Sequence, residues 1–160
     1  MYNKVEFPIA IYADGASLDE IETGDRSIIS GYTFNPTLFR NLKVTDYLGY
    51  CQKVIEVCGE APVSLEVFAD DSNGMIGQAK MLSELGANVY VKIPITFTSA
   101  TTTLSVIETL INEGLKLNIT AVFTKNQVQT ILPALKNSRT IISIFAGRLF
   151  DIGIDAVEAV

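Results

Sequence analysis

A lysine at position 92 interrupts the otherwise apolar run 89–95, VYVKIPI. In a strand of that character a lysine sheds its hydration, which disfavours the ammonium form. A neutral lysine amine is a nucleophile able to condense with a carbonyl to a Schiff base. The competing reading is a lysine whose head reaches solvent or pairs with a carboxylate. Lys92 taken alone fits both. Two carboxylates bear on the choice. Asp14 ends the run 8–14, PIAIYAD, and Glu66 lies within 63–69, VSLEVFA. Schiff-base formation followed by carbon–carbon cleavage requires proton transfers, and this chain has no His, so Asp and Glu are the natural carriers. Singly, Asp14 before Gly15 also reads as a turn residue or helix cap, and Glu66 as a salt-bridge partner of Lys92. Together, three ionisable groups converging on one place are costly without a function. Arg148, in FAGRLFDIG, suits a phosphate through its fork of donors; it reads also as a plain surface arginine.

Groups so far apart in sequence need a scaffold that gathers them. The chain alternates strand and helix patterns. Strand candidates are 8–14, 27–34, 63–69, 88–95, 115–123 and 140–147, all short, rich in β-branched residues and bounded by turn formers. Helical periodicity covers 74–86, with Met75, Ile76, Ala79, Met81, Leu82 and Leu85 mostly on one stripe, and 103–114, with Leu104, Ile107, Leu110 and Ile111. Gly59, Gly86 and Gly114 each follow a helix and precede a strand, the place of a left-handed C-cap.

Strands alternating with helices imply a parallel α/β sheet. Length favours a doubly wound open sheet; side-chain alternation favours a (β/α)8 TIM barrel. Val63, Leu65 and Val67 oppose Ser64, Glu66 and Phe68. Val89, Val91, Ile93 and Ile95 oppose Asn88, Tyr90, Lys92 and Pro94. Leu117, Ile119 and Ala121 oppose Asn118, Thr120 and Val122, and Ile142, Ile144 and Ala146 oppose Ser143, Phe145 and Gly147. Gly31, Thr33 and Asn35 also fall together. A sheet between two helix layers should be aliphatic on both faces, whereas a barrel collects polar groups inside, towards the C-terminal ends of its strands. The polar residues sit late in their strands, so the barrel is the expected fold.

Composition narrows the chemistry. The chain has 160 residues, 48% of them hydrophobic, with a net charge of −6, no His and two Cys. Absence of His excludes a Ser-His-Asp triad, a Cys-His pair and a His-based zinc site. An acidic balance disfavours a general nucleic-acid surface. Cys51 and Cys58 lie two turns apart on a helical stretch, too far to bridge, and read as core thiols of a reducing, cytoplasmic setting. The start MYNKVEFP lacks the apolar core of a signal peptide, and no apolar run reaches the ~18 residues of a membrane span. Residues 69–75, ADDSNGM, read as helix capping rather than a cation loop. The sequon at Asn118 falls on a buried strand and is disregarded, and Gln127, Gln129 and Lys136 read as a solvated helix face.

These segments resemble the transaldolase family, which includes the small transaldolases and the fructose-6-phosphate aldolases. The resemblance is carried by Asp14 in IYADGAS, by Thr33-Phe34-Asn35-Pro36 in GYTFNPTLF, by Glu66 in SLEVFADD and by Lys92 in VYVKIPIT. It extends to Asn118-Ile119-Thr120 and to Ser143 through Arg148. It implies a barrel of the class I aldolase type that transfers a dihydroxyacetone unit from a ketose phosphate to an aldose phosphate, in the pentose phosphate pathway. Lys92 would form the imine, Asp14 would take the proton from the C4 hydroxyl, and Glu66 would work with Thr120 through a water. Asn35 and Asn118, with Thr33 and Ser143 nearby, would hold donor hydroxyls, and Arg148 the phosphate. No metal or organic cofactor is implied. Phe145, like Glu66, matches the transaldolases, whereas the aldolases have Tyr and Gln at these places. Tyr32-Thr33-Phe34 departs from the small residues and Thr-Thr of many relatives, which bears on substrate size. The alternatives are a fructose-6-phosphate or dihydroxyacetone aldolase on the same site, or a non-catalytic sugar-phosphate-binding remnant.

Length stands against the barrel. Six of eight βα units are legible within a single domain over 1–160, and the family's seventh strand, its second phosphate-binding arginine and its C-terminal helix are missing. The expectation is a portion of a protein of roughly 210–230 residues, homo-oligomeric at full length, with two exposed strand edges in the portion present.

Overall fold

All six expected strands form. In the computed structural model, which describes residues 8–160, they are Ile11–Asp14 (β1), Ile29–Thr33 (β2), Val63–Glu66 (β3), Val89–Pro94 (β4), Leu117–Val122 (β5) and Thr140–Ile144 (β6). The helices are Leu18–Thr23 (α1), Pro36–Asn41 (α2), Tyr47–Cys58 (α3), Ser72–Ser83 (α4), Leu104–Asn112 (α5), Lys125–Ile131 (α6), Ala146–Asp151 (α7) and Ala156–Ala159 (α8). The strands pair in parallel in the order β1-β2-β3-β4-β5-β6. A doubly wound sheet reverses its strand order at a switch point; here each strand lies beside its sequence neighbour throughout. The result is six consecutive units of a (β/α)8 barrel, curled as a half-barrel with helices alternating along the chain, and β1 and β6 are the edges of the described sheet.

The aliphatic side of the strands makes the core. Leu65, Val91, Ile93, Leu117 and Ile119 are fully buried, in one cluster with Val54 of α3, Ala79 of α4 and Val106, Ile107 and Leu110 of α5. Burying each such aliphatic side chain stabilises the fold by about 1.5–3 kcal/mol. Cys51 and Cys58 belong to this core, and burial pushes their thiols up to about 12 and about 11, so neither is a reactive thiolate. Asp71 accepts from the Gly74 N–H at 2.9 Å at the head of α4, the capping role expected of that loop.

Several expectations need correction. The run 140–147 is not all strand: β6 ends at Ile144, and Ala146 and Gly147 open α7. Ile144 is 40% exposed, because β6 is an edge of the sheet. Met81 faces outward from its helix. Gly59 and Gly114 take positive φ as expected, but Gly86 does not; there a side chain would collide with the Asn88 amide at 2.8 Å, so lack of room rather than handedness calls for glycine. Strict alternation also fails at the end of β5. Ile119 pairs with Ile142 and Val122 with Ile144, so β5 carries one extra residue, and Ala121 takes φ +57°.

Candidate active site

The C-terminal ends of the strands bring several of the expected residues together. Asp14, Thr33 and Glu66 are the last residues of β1, β2 and β3. Lys92 pairs in register with Glu66 on one side and with Asn118 on the other, so these three share a rung across β3, β4 and β5. Lys92 is only 6% exposed, and its Nζ lies 3.6 Å from Glu66 Oε2. Lys92 is thus both buried and turned towards a carboxylate. Burial is the main cause that raises the Glu66 carboxyl above its ordinary range. Lys92 pulls it back by charge and hydrogen bonding, and the Asp14 charge pushes it up again.

Each remaining polar side chain has an assigned place. Thr33 donates its hydroxyl to Asp14 Oδ1 across the β1–β2 rung that the two share. Asn118 is buried and spans three strands: its Nδ2 donates to Ser64 Oγ at 3.1 Å, and its Oδ1 accepts from Ser143 Oγ at 2.7 Å. One N–H of the Asn118 amide is left over. Thr120 is also buried, and its hydroxyl has no hydrogen-bond partner. Such a hydroxyl costs stability unless a ligand or water engages it.

Asn35 caps α2, its Oδ1 accepting from the Leu38 N–H at 2.9 Å, which leaves its NH2 free to donate. Phe145 follows β6 and meets Phe123 edge-to-face at 5.5 Å between centroids. Arg148 is not drawn into this group. It sits in α7 with its side chain 75% exposed, 3.3 Å from Asp151.

Beside Glu66 lies a cleft of about 440 Å³ at the mouth of β3 and β4, lined by residues including Pro36, Asp70, Pro94, Phe97 and Thr98. Asp70 accepts from both the backbone N–H and the hydroxyl of Thr98, which ties the loops after β3 and β4 together and holds its carboxyl below the usual range.

Sequence reasoning missed the contacts of four residues. Ser64 is completely buried on the Asn118 amide. Tyr47 donates to the Glu66 carbonyl at 2.7 Å. Gln78 accepts from the Phe68 and Ala69 N–H groups at 2.7 and 2.9 Å. Gln127, read as a solvated face, instead closes a capping box with Thr124 and accepts from the Phe123 N–H at 2.8 Å. The signals available were the pairing of Ser64 with Glu66 on one face and the T-x-x-Q spacing at 124–127.

Among the described residues no group of His, Cys, Asp and Glu could hold a metal ion, and no helix is long and apolar enough to cross a membrane. A family model described as Transaldolase/Fructose-6-phosphate aldolase matches residues 11–160. The chain is similar to the probable transaldolase of Thermoanaerobacter sp. (strain X514), 35% identical over 150 residues that cover 93% of this chain and 65% of that one. It is similar also to those of Roseiflexus sp. (strain RS-1), 34% identical over 94% and 66% of the two chains, and Dehalococcoides mccartyi, 36% identical over 92% and 65%. The chain thus spans about 65% of the length of these curated relatives.

Proposed function

The chain belongs to the transaldolase/fructose-6-phosphate aldolase family, and we propose that its C-terminal strand ends carry a Schiff-base transaldolase site acting on sugar phosphates. The observation that carries this reading is the Glu66–Lys92–Asn118 rung, with a buried lysine 3.6 Å from a half-buried carboxylate.

In this reading the Lys92 amine attacks C2 of the donor ketose. Glu66, through a water held by Thr120, protonates the departing hydroxyl, so that water leaves and an iminium forms. Asp14 then takes the proton of the C4 hydroxyl. The C3–C4 bond breaks, an aldose phosphate departs, and the bonding pair is stored as an enamine on Lys92. An acceptor aldehyde enters, C3 of the enamine attacks it, and Asp14 returns the proton to the new hydroxyl. Hydrolysis of the iminium, assisted by Glu66, frees Lys92. Thr33 keeps the Asp14 carboxylate aimed, and the Ser64–Asn118–Ser143 chain presents the free Asn118 N–H to a donor oxygen. Asn35 would offer its NH2 to a further donor hydroxyl. Arg148 would turn from Asp151 to the phosphate. Phe145 has no hydroxyl with which to assist water, which favours transfer over release of free dihydroxyacetone.

Borohydride reduction in the presence of fructose 6-phosphate tests the reading. The expected result is a mass increase of one dihydroxyacetone unit on wild type and none on Lys92→Met. No increase on wild type, or an equal one on Lys92→Met, overturns it. Turnover of fructose 6-phosphate only when erythrose 4-phosphate is present identifies a transaldolase; equal turnover without it identifies an aldolase.

A further inference from the structure

Parallel pairing between β2 and β3 follows a regular ladder. The Tyr32 N–H donates to the Pro62 carbonyl at 2.9 Å, and the Phe34 N–H to the Ser64 carbonyl at 2.9 Å. The next donor in that series is the N–H of residue 36, and its acceptor is the carbonyl of Glu66. Residue 36 is a proline and has no N–H. Asn35 keeps extended dihedrals, φ −140° and ψ 167°, so the backbone still runs along the strand direction where that donor would arise. A carbonyl orphaned here belongs to the residue whose carboxylate faces Lys92. The phenol of Tyr47 fills the gap, donating to the Glu66 carbonyl at 2.7 Å.

We infer that Tyr47 is a positioning residue for Glu66: its hydroxyl takes the place of the ladder N–H that Pro36 cannot supply, and so fixes the end of β3 from which the Glu66 carboxylate projects to Lys92. The inference rests on the proposed role of Glu66. Tyr47 is well suited to the task. It is the first residue of α3, whose start is fixed by Asp46 accepting from the Gly49 N–H at 3.0 Å. Its ring is clamped between Phe39, 5.0 Å away, and Phe68, 4.2 Å away and edge-on. Burial pushes its phenol well above the ordinary value, so it stays a donor across the working pH range. The proline has its own reason to be present: it occupies the first turn of α2, directly after Asn35, where its fixed φ favours the helix start. The site thus gains a helix start at Asn35 and loses one strand donor, and an aromatic residue from the next helix replaces it.

The test is a double-mutant cycle on the full encoded protein with Tyr47→Phe and Glu66→Gln, reading kcat for ketose phosphate turnover. Tyr47→Phe should lower kcat by about tenfold in wild type and by less than about twofold when Glu66 is already Gln. An equal loss in both backgrounds makes Tyr47 merely structural and overturns the inference. An unchanged kcat in Glu66→Gln alone overturns the catalytic reading of Glu66 instead. The positioning claim is then decided by the carboxyl titration of Glu66, followed by carbon NMR. Its midpoint should fall towards an ordinary glutamate in Tyr47→Phe, and an unmoved midpoint overturns the claim. Pro36→Ala restores the ladder N–H. In that background Tyr47→Phe should fold and should shift the Glu66 titration less than it does alone; an equal shift overturns the substitution of phenol for amide.

Discussion

The Lys92 Nζ and the Glu66 carboxylate lie 3.6 Å apart on neighbouring strands of one rung, and both are largely withdrawn from water. Such a pair is weak support for stability, since desolvation offsets much of the attraction. For Glu66 desolvation is the larger effect, and its carboxyl is raised.

That direction fixes a pH dependence. The folded state holds the Glu66 proton more tightly than the unfolded state does, so the contribution of this group to stability is full below the ordinary glutamate value of ~4.3. It is lost as pH rises through the folded value. Urea midpoints of wild type and Glu66→Gln should therefore diverge as pH rises from mildly acidic to neutral, with wild type losing ground to the variant. Divergence in the opposite sense would mean that attraction to Lys92 outweighs burial. If Glu66 is the acid–base group, the limb of the rate profile that it contributes should also lie above the ordinary carboxylate range, and that limb should be missing in Glu66→Gln.

The buried, unpartnered hydroxyl of Thr120 makes function and stability pull in opposite directions. Thr120→Val removes a polar group that nothing in the fold satisfies, and should stabilise the protein by about 1 kcal/mol in urea denaturation. The same change removes the group proposed to hold the catalytic water, and should lower turnover by at least about tenfold. A variant that is both less stable and fully active would show that the hydroxyl has a structural partner and no catalytic one.

The Lys92, Asp14 and Glu66 positions were legible because a charge late in an otherwise apolar strand is a strong signal under period-two alternation. The consecutive order of six parallel strands followed from the same pattern, through the mixed polar face that a two-layered sheet would not tolerate. What escaped was non-local or irregular. No local spacing pairs Tyr47 with the carbonyl of Glu66, nineteen residues away. The extra residue in β5 has no turn former to announce it, since Ala121 is not a glycine. Arg148 carries its family motif but lies in a helix, exposed and beside Asp151, a placement that the motif's spacing does not encode.

The amide of Asn118 is shared by two hydroxyls, one of them on a completely buried serine. Ser64→Ala removes one neutral hydrogen bond and should cost about 1 kcal/mol. Asn118→Ala leaves both serine hydroxyls without their partner and should cost more, about 2–3 kcal/mol. Urea denaturation at neutral pH measures both. If Asn118→Ala proves the milder change, the three side chains do not act as one network.

Ala121 adopts a left-handed conformation that costs an L-residue about 1–2 kcal/mol relative to glycine's tolerance of it. It does so at the bulge directly after Thr120. Ala121→Gly should therefore stabilise the fold by about 0.5–1 kcal/mol, against the usual loss when glycine replaces alanine in a regular element. Ala121→Val should destabilise it by about 1 kcal/mol or more, because a β-branched side chain tolerates positive φ least. If the bulge exists to orient Thr120, Ala121→Val should also lower turnover and slow the appearance of the borohydride-trapped adduct on Lys92, because the water held by Thr120 serves imine formation. A destabilised Ala121→Gly variant would mean that the extra residue of β5 is accommodated without a left-handed alanine.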